Sequence, residues 1–335
     1  MEKDCKHGEI NENKAIGKIS FIKSQYIFKK IFSNLPKKIY LKIIKENKKM
    51  QNRLTIGIHD YKRYSEIEIE IIPSKHKYSE FIKSNKLSKF LNIPRKEDES
   101  YYHIYFNESK KEIKKYELSN NNDIEKIKVI IDHKIRSFKG LFQYCQCIES
   151  ISFNNFQRDN IIDMSYMFYE CSSLKKIDLS NFKTDKVTSM NCMFFGCAPL
   201  EEIIFPSINT SNLSNMSYMF FGCSSLKELN LSSFNTNNVL DMNSIFFKCS
   251  SLKKLNLSSF TNTNLNYMKR MFYGCYSLLE LDLSQFNKDE ISNKEIFLGC
   301  PDQLEIITKD KIIRLNWIHN KNETNKIKNL IKIIY

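Results

Sequence analysis

Little in these 335 residues marks an enzyme or a membrane protein. No run approaches the ~18 uninterrupted apolar residues of a membrane-spanning helix, so no transmembrane segment is expected. The opening Met1-Glu-Lys-Asp-Cys-Lys-His-Gly8 is charged and lacks the apolar stretch of about 7–15 residues in a secretory leader, which points to a cytoplasmic protein. Only eight glycines are present, and they form no phosphate-binding loop. The histidines His7, His59, His76, His103, His133 and His319 are scattered and match no metal-ligand or nucleophile motif. No Cys-x-x-Cys pair occurs to hold zinc. The expectation is a non-enzymatic protein with no catalytic residues, no cofactor and no metal.

What is present is a ruler. Cys145, Cys171, Cys197, Cys223, Cys249 and Cys275 are 26 residues apart, and Cys300 follows after 25. A fixed period of this size marks one supersecondary unit stacked on copies of itself, a solenoid. Its clearest copy runs from Met216 to Thr236 and holds two patterns. Met216, Met219 and Phe220 are spaced i, i+3, i+4, which predicts a short helix, whereas Leu229 and Leu231 alternate with polar residues, which predicts a short strand. Gly196, Gly222 and Gly274 each precede a ruler cysteine and suit a left-handed residue at the helix end; Tyr144, Glu170 and Lys248 hold that place in other turns.

Stacking turns about 4.8 Å apart would align equivalent side chains into interior ladders. Phe142, Phe168, Phe194, Phe220, Phe246, Phe272 and Phe297 form one. Ile151, Ile177, Ile203, Leu229, Leu255 and Leu281 form a second, and Phe156, Phe182, Ile208, Phe234, Phe260 and Phe286 a third. The ruler cysteines read as buried, unreactive thiols, since free cysteine packs as a small hydrophobe and a reducing cytosol keeps it reduced. Cys5, Cys147 and Cys192 lie off the ruler. Strand residues that alternate with the core face outward. They give the candidate partner-binding face: Lys176, Glu202, Glu228, Lys254 and Glu280 in one column, and Asp178, Ile204, Asn230, Asn256 and Asp282 in the next. Seven Asn-x-Ser/Thr triplets, among them Asn230 and Asn256, read as polar surface rather than glycan acceptors in a chain without an export leader.

The recurrent Met-Phe-x-x-Cys-x-x-Leu-x-x-Leu-x-Leu-Ser-x-Phe resembles the BspA-like leucine-rich repeats, a bacterial and protist surface and interaction class, over about residues 135–307. The resemblance implies an α/β leucine-rich-repeat solenoid of about seven 26-residue turns, with a parallel sheet on one face that binds proteins or surfaces. It supplies no catalytic residues. A surface or adhesion role of that type is one alternative to a general interaction module.

Charge separates the repeats from the rest. Lys and Arg exceed Asp and Glu by 12 over residues 1–138, fall one short over 139–300 and exceed them by three over 301–335. A neutral array disfavours nucleic acid, whose binding needs a basic face, and favours a protein partner. The expected plan is a disordered stretch 1–19, a basic amphipathic helical segment 20–65 and a small α+β region 66–124. The solenoid follows over 125–307, with Ile127–Ile131 as its capping strand, and a C-terminal cap over 308–335 that includes Trp317. Residues 23–53 carry ten Lys or Arg against the single Glu46, and Lys37, Lys38, Lys48 and Lys49 form a candidate basic docking helix. This segment could serve a membrane surface or an acidic partner, or act as a structural cap. The stretch Ile27-Phe-Lys-Lys-Ile31-Phe32-Ser-Asn-Leu35-Pro36 through Leu54 is similar to an F-box, without the usual Leu-Pro before the first helix. Paired with leucine-rich repeats, that similarity implies a substrate receptor of a ubiquitin ligase.

Overall fold

A computed structural model describes residues 24–35, 41, 44, 47–57, 66–75, 88–118, 123–132, 134–156, 160–205, 209–260, 267–286, 296–307, 312–315 and 331–333. The chain divides into two compact units, residues 1–65 and 66–335. In the first, helix α1 (Gln25–Ser33) starts at Ser24, whose hydroxyl accepts from the Ile27 amide, and ends at Asn34. Helix α2 (Lys48–Leu54) starts at Asn47, whose Oδ1 accepts from the Met50 amide at 3.0 Å. Both caps satisfy amides that a helix start leaves unpaired. Phe28, Phe32, Leu41, Ile44 and Met50 bury one another, and the Arg53 guanidinium lies 3.8 Å from the Phe28 ring centroid. No described helix is long and apolar enough to cross a membrane.

The second unit is a parallel array closed at both ends by antiparallel strands. Five three-residue strands recur every 26 residues: β7 (Lys176–Asp178), β8 (Glu202–Ile204), β9 (Glu228–Asn230), β10 (Lys254–Asn256) and β11 (Glu280–Asp282). Each is short because a bend on either side turns the chain around the core. The eight-residue β6 (Ile148–Asn155) precedes them and β12 (Glu305–Ile307) follows. About seven turns were expected; five are uniform, and the first and last strands are shared with the caps. β12 pairs antiparallel with β13 (Ile312–Leu315), and β13 with β14 (Ile331–Ile333). Trp317 lies outside the described residues.

At the other end the expected capping strand is displaced. The strand alongside β6 is β1 (Ile67–Pro73), antiparallel, with Ile69 opposite Phe153 and Ile71 opposite Ile151. β5 (Ile127–Ile131) pairs instead with the far edge of β1 and with β3 (Tyr102–Phe106), giving the order β3-β5-β1-β6-β7-β8. Antiparallel pairing leaves no 26-residue signature, so spacing alone assigned the role to the wrong strand. β2 (Ser88–Lys89) and β4 (Glu117–Leu118) add a small ladder in the same region.

Among the described residues, the other side of the turns is not helical. Along Met216–Gly222, alternate amides donate to the following turn: Met216 to Asp241 at 3.1 Å, Tyr218 to Asn243 at 2.8 Å, Phe220 to Ile245 at 2.9 Å and Gly222 to Phe247 at 2.7 Å. Between them, the Phe221 and Cys223 amides close three-residue turns onto Tyr218 and Phe220, at 3.2 and 3.1 Å. An α-helix would need all of these amides for its own carbonyls four residues back. Two left-handed residues per turn make the alternation possible, at Tyr218 and Gly222 with φ of 57° and 72°. The same pair recurs at Tyr166 and Glu170, at Cys192 and Gly196, and at Ser244 and Lys248. The i, i+3, i+4 spacing is therefore that of stacked turns. A further row of single bridges links Ser137, Asp163, Ser189, Asn215, Asp241 and Tyr267 in parallel.

Inside, the expected ladders are in place over the described residues, except that Ile203 of the second is only half-buried. Phe142, Phe168, Phe194, Phe220, Phe246, Phe272 and Phe297 stack at 5.3–5.8 Å with ring planes within 8° of parallel. In the third ladder Phe156 stacks on Phe182 at 4.5 Å and Phe260 on Phe286 at 6.5 Å; Ile208 lies outside the described residues, and Phe205, which is not one of the ladder positions, packs edge-on against Phe234 at 5.2 Å. The cysteines do more than fill space. The thiols of Cys171, Cys197, Cys223, Cys249, Cys275 and Cys300 each donate to the carbonyl of a ladder phenylalanine one turn back, at 3.0–3.2 Å. Each of those carbonyls also accepts the amide of the cysteine in its own turn, as Phe194 does from Cys197 at 3.2 Å. Both lone pairs are thus used.

Candidate functional site

The structure places all ten predicted face residues, from Lys176 to Asp282, on the exposed edge of the strands. In β7, β9, β10 and β11 an exposed residue stands on each side of a buried one, the pattern that alternation along a pleated strand requires. Ile204 is 44% exposed, the one large apolar side chain among the ten. Most of this row is already engaged. Lys176 pairs with Glu202 at 3.1 Å, and Lys254 with Glu228 at 2.8 Å, a hydrogen bond that raises the Lys254 pKa. Asp178, Asn230, Asn256 and Asp282 each accept, through Oδ1, the amide of the serine two residues on, at 2.7–3.0 Å. These Asx turns bend the chain out of the strand. Glu280 makes no ion pair among the described residues. In the first unit Lys48 and Lys49 are exposed on α2, while Lys37 and Lys38 lie outside the described residues.

The stacked-turn side carries a surface the sequence reading missed. Tyr169, Phe195, Phe221, Phe247 and Tyr273 form a second aromatic column, half-buried, with centroids 4.3–4.7 Å apart and planes within 10° of parallel. Tyr144, 54% exposed, packs edge-on against Tyr169. The signal was an aromatic doublet in five successive periods: Phe168-Tyr169, Phe194-Phe195, Phe220-Phe221, Phe246-Phe247 and Phe272-Tyr273. Beside this column run the left-handed positions Tyr144, Glu170, Gly196, Gly222, Lys248 and Gly274. On its other flank Tyr166 and Tyr218 alternate with the buried Cys192 and Ser244. The Tyr166 phenol is pushed up in pKa by the neighbouring Cys192 thiol and by burial.

Burial pushes the ladder thiols up as well: Cys249 and Cys300 to about 12, and Cys171, Cys223 and Cys275 well above the ordinary value. They remain protonated donors, as their bonds to carbonyls require. Near the capped end a groove of about 520 Å³ is lined by residues including Leu91, Ile93, Glu99, Lys115 and Tyr116. The Tyr116 pKa is raised there by burial and by Glu99. Among the described residues no group of three or more His, Cys, Asp or Glu converges as a metal site would.

A family model described as "Mycoplasma protein of unknown function, DUF285" matches residues 106–206 and again 200–305. No curated protein matches the chain. Among solved structures it is similar to a leucine-rich repeat protein from Bacteroides ovatus, with 16% identity and a TM-score of 0.20, over 56% of this chain and 68% of that one.

Proposed function

The chain belongs to the DUF285 family, and on that footing we propose that it is a non-enzymatic protein-interaction module whose solenoid presents the sheet face to a protein partner. The observation that carries this reading is the regular two-column row of exposed side chains, Lys176 to Asp282, held on a rigid ladder-packed core. Rigidity limits the entropy lost on binding. The Lys176–Glu202 and Lys254–Glu228 pairs give the row a mixed-sign pattern that a partner of complementary pattern would match. A cytoplasmic setting is part of the proposal, since oxidation would remove the thiol donors that tie successive turns together.

Replacing Glu228, Lys254 and Glu280 together is expected to weaken capture of the partner from native cells while leaving the melting temperature unchanged, since exposed substitutions rarely disturb folding. Capture unaffected by the triple substitution would sink the sheet-face reading. Two finer readings rest on the resemblances. An F-box-like ubiquitin-ligase receptor would dock through α1 and α2, whose apolar residues bury one another and whose exposed surface includes Lys29, Lys30, Lys48 and Lys49. Loss of adaptor binding on reversing those lysines would support it. A BspA-like surface role would require the chain outside the cell, which fractionation decides.

A further inference from the structure

The stacked-turn side is self-complementary about a single point. Five half-buried rings form its spine, so their outer edges stand in water although each ring is stacked on its neighbours. At the centre, between Phe195 and Phe221, the neighbouring left-handed column holds two glycines: a Cβ added at Gly222 would meet only the backbone of Gly196, 3.8 Å away, whereas one added at Gly196 would run into the Glu170 carboxylate, which lies over it. The turns flanking those two glycines both depart from glycine, on opposite sides of that centre, as Tyr144 does at the start of the column. Glu170 lies one turn before Gly196, and Lys248 one turn after Gly222. Both keep a left-handed backbone, at φ 56°, which an L-residue adopts at a cost. Neither forms an ion pair among the described residues, although Lys248 Nζ hangs 5.6 Å from the centroid of Phe247.

A two-fold axis lying across the column at this centre superposes three features at once. It sets Phe195 against Phe221 of a second copy and Tyr169 against Phe247. It sets Gly222 of each copy, which carries no side chain, against Gly196 of the other and the Glu170 carboxylate lying over it. It brings Glu170 onto Lys248, twice. On the far flank the same axis lays the outstanding Tyr218, 38% exposed, opposite the buried Cys192, and Tyr166 opposite the buried Ser244. Such self-matching is what an isologous interface needs, because each residue must fit its own symmetry mate. We propose that this aromatic column is a homodimerisation surface on which a second copy of the chain packs antiparallel, with Glu170 of each copy paired to Lys248 of the other. It is separate from the sheet face and does not depend on it.

Sedimentation equilibrium of the full chain from about 1 to about 100 μM would reveal a dimer of micromolar affinity. Glu170→Lys and Lys248→Glu each place two like-charged pairs in the interface and should weaken association by about tenfold or more, the effect of opposing like charges. The double variant Glu170→Lys/Lys248→Glu restores both pairs and should return the dissociation constant to near that of the parent. A second test removes concern over folding: Glu170→Gly and Lys248→Gly relieve the left-handed backbone, so they should fold at least as well yet dimerise less. A chain that stays monomeric throughout would overturn the proposal. So would a dimer indifferent to the single reversals, or one that the double variant fails to restore.

Discussion

The two sides of the solenoid come from the same 26-residue phrase and solve the same problem differently. On the sheet side, three-residue strands hand their hydrogen bonds to the neighbouring turns, and the polar side chains beside them close Asx turns or pair with each other. On the stacked-turn side no regular strand or helix forms among the described residues; alternate amides serve the next turn, and left-handed residues make the alternation possible. The sheet side therefore spends its polar groups locally, whereas the stacked-turn side leaves apolar rings at the surface. A repeat protein can thus carry a polar face and an aromatic face without any difference in composition between turns, because position within the turn decides exposure.

The largest way to test the shared interior is alkali. Burial raises the folded-state pKa values of Cys171, Cys223 and Cys275 well above the ordinary 9.0, and those of Cys249 and Cys300 to about 12. Between these values the unfolded chain releases protons that the folded chain holds, so stability is full below pH 9 and falls as pH rises toward 12. Cys249 and Cys300 each contribute about 1.4 kcal/mol per pH unit in that window. Melting temperature should drop steeply above pH 9, and Cys249→Ala should make the slope shallower. A flat profile to pH 11 would show that the thiols do not resist ionisation.

Next comes a contrast between adjacent rings. Phe220 is fully buried and Phe221 half-buried, so Phe220→Ala should cost about 3–5 kcal/mol by cavity formation. Phe221→Ala loses two stacking contacts, at 4.3 and 4.4 Å, and should cost about 1–2 kcal/mol. Equal losses in denaturant melts would erase the distinction between interior and surface columns. Smaller again is the thiol bond itself. Cys223→Ala leaves the Phe194 carbonyl without its second donor and should cost about 1–2 kcal/mol, more than Cys223→Ser, which keeps a donor. An alanine variant as stable as the serine variant would reduce the cysteine to a filler. The smallest effect has the opposite sign: Lys248→Gly, at φ 56°, should stabilise the fold by up to about 1 kcal/mol.

Much of this architecture could be read from spacing. Identical residues at identical offsets can be buried together only if the turns stack, so Phe142 through Phe297 had to form a ladder, and Leu229 or Leu255 had to lie under an exposed Glu228 or Lys254. The doublet Phe220-Phe221 was equally periodic, yet a side chain's neighbour in sequence does not tell which side of the backbone it leaves. What tertiary structure alone decided lies where the period is silent or ambiguous. An i, i+3, i+4 pattern suits both a helix and stacked turns; the choice fell to which carbonyls, in the same turn or the next, the amides of Met216–Gly222 could reach. The cap fell to β1 rather than β5 because antiparallel pairing between residues far apart in the chain, such as Ile71 and Ile151, writes no interval into the sequence. The thiol bond from Cys223 to Phe194 belongs to the same class: periodicity placed the cysteine in the core, and only the offset between successive turns aimed its hydrogen at a carbonyl.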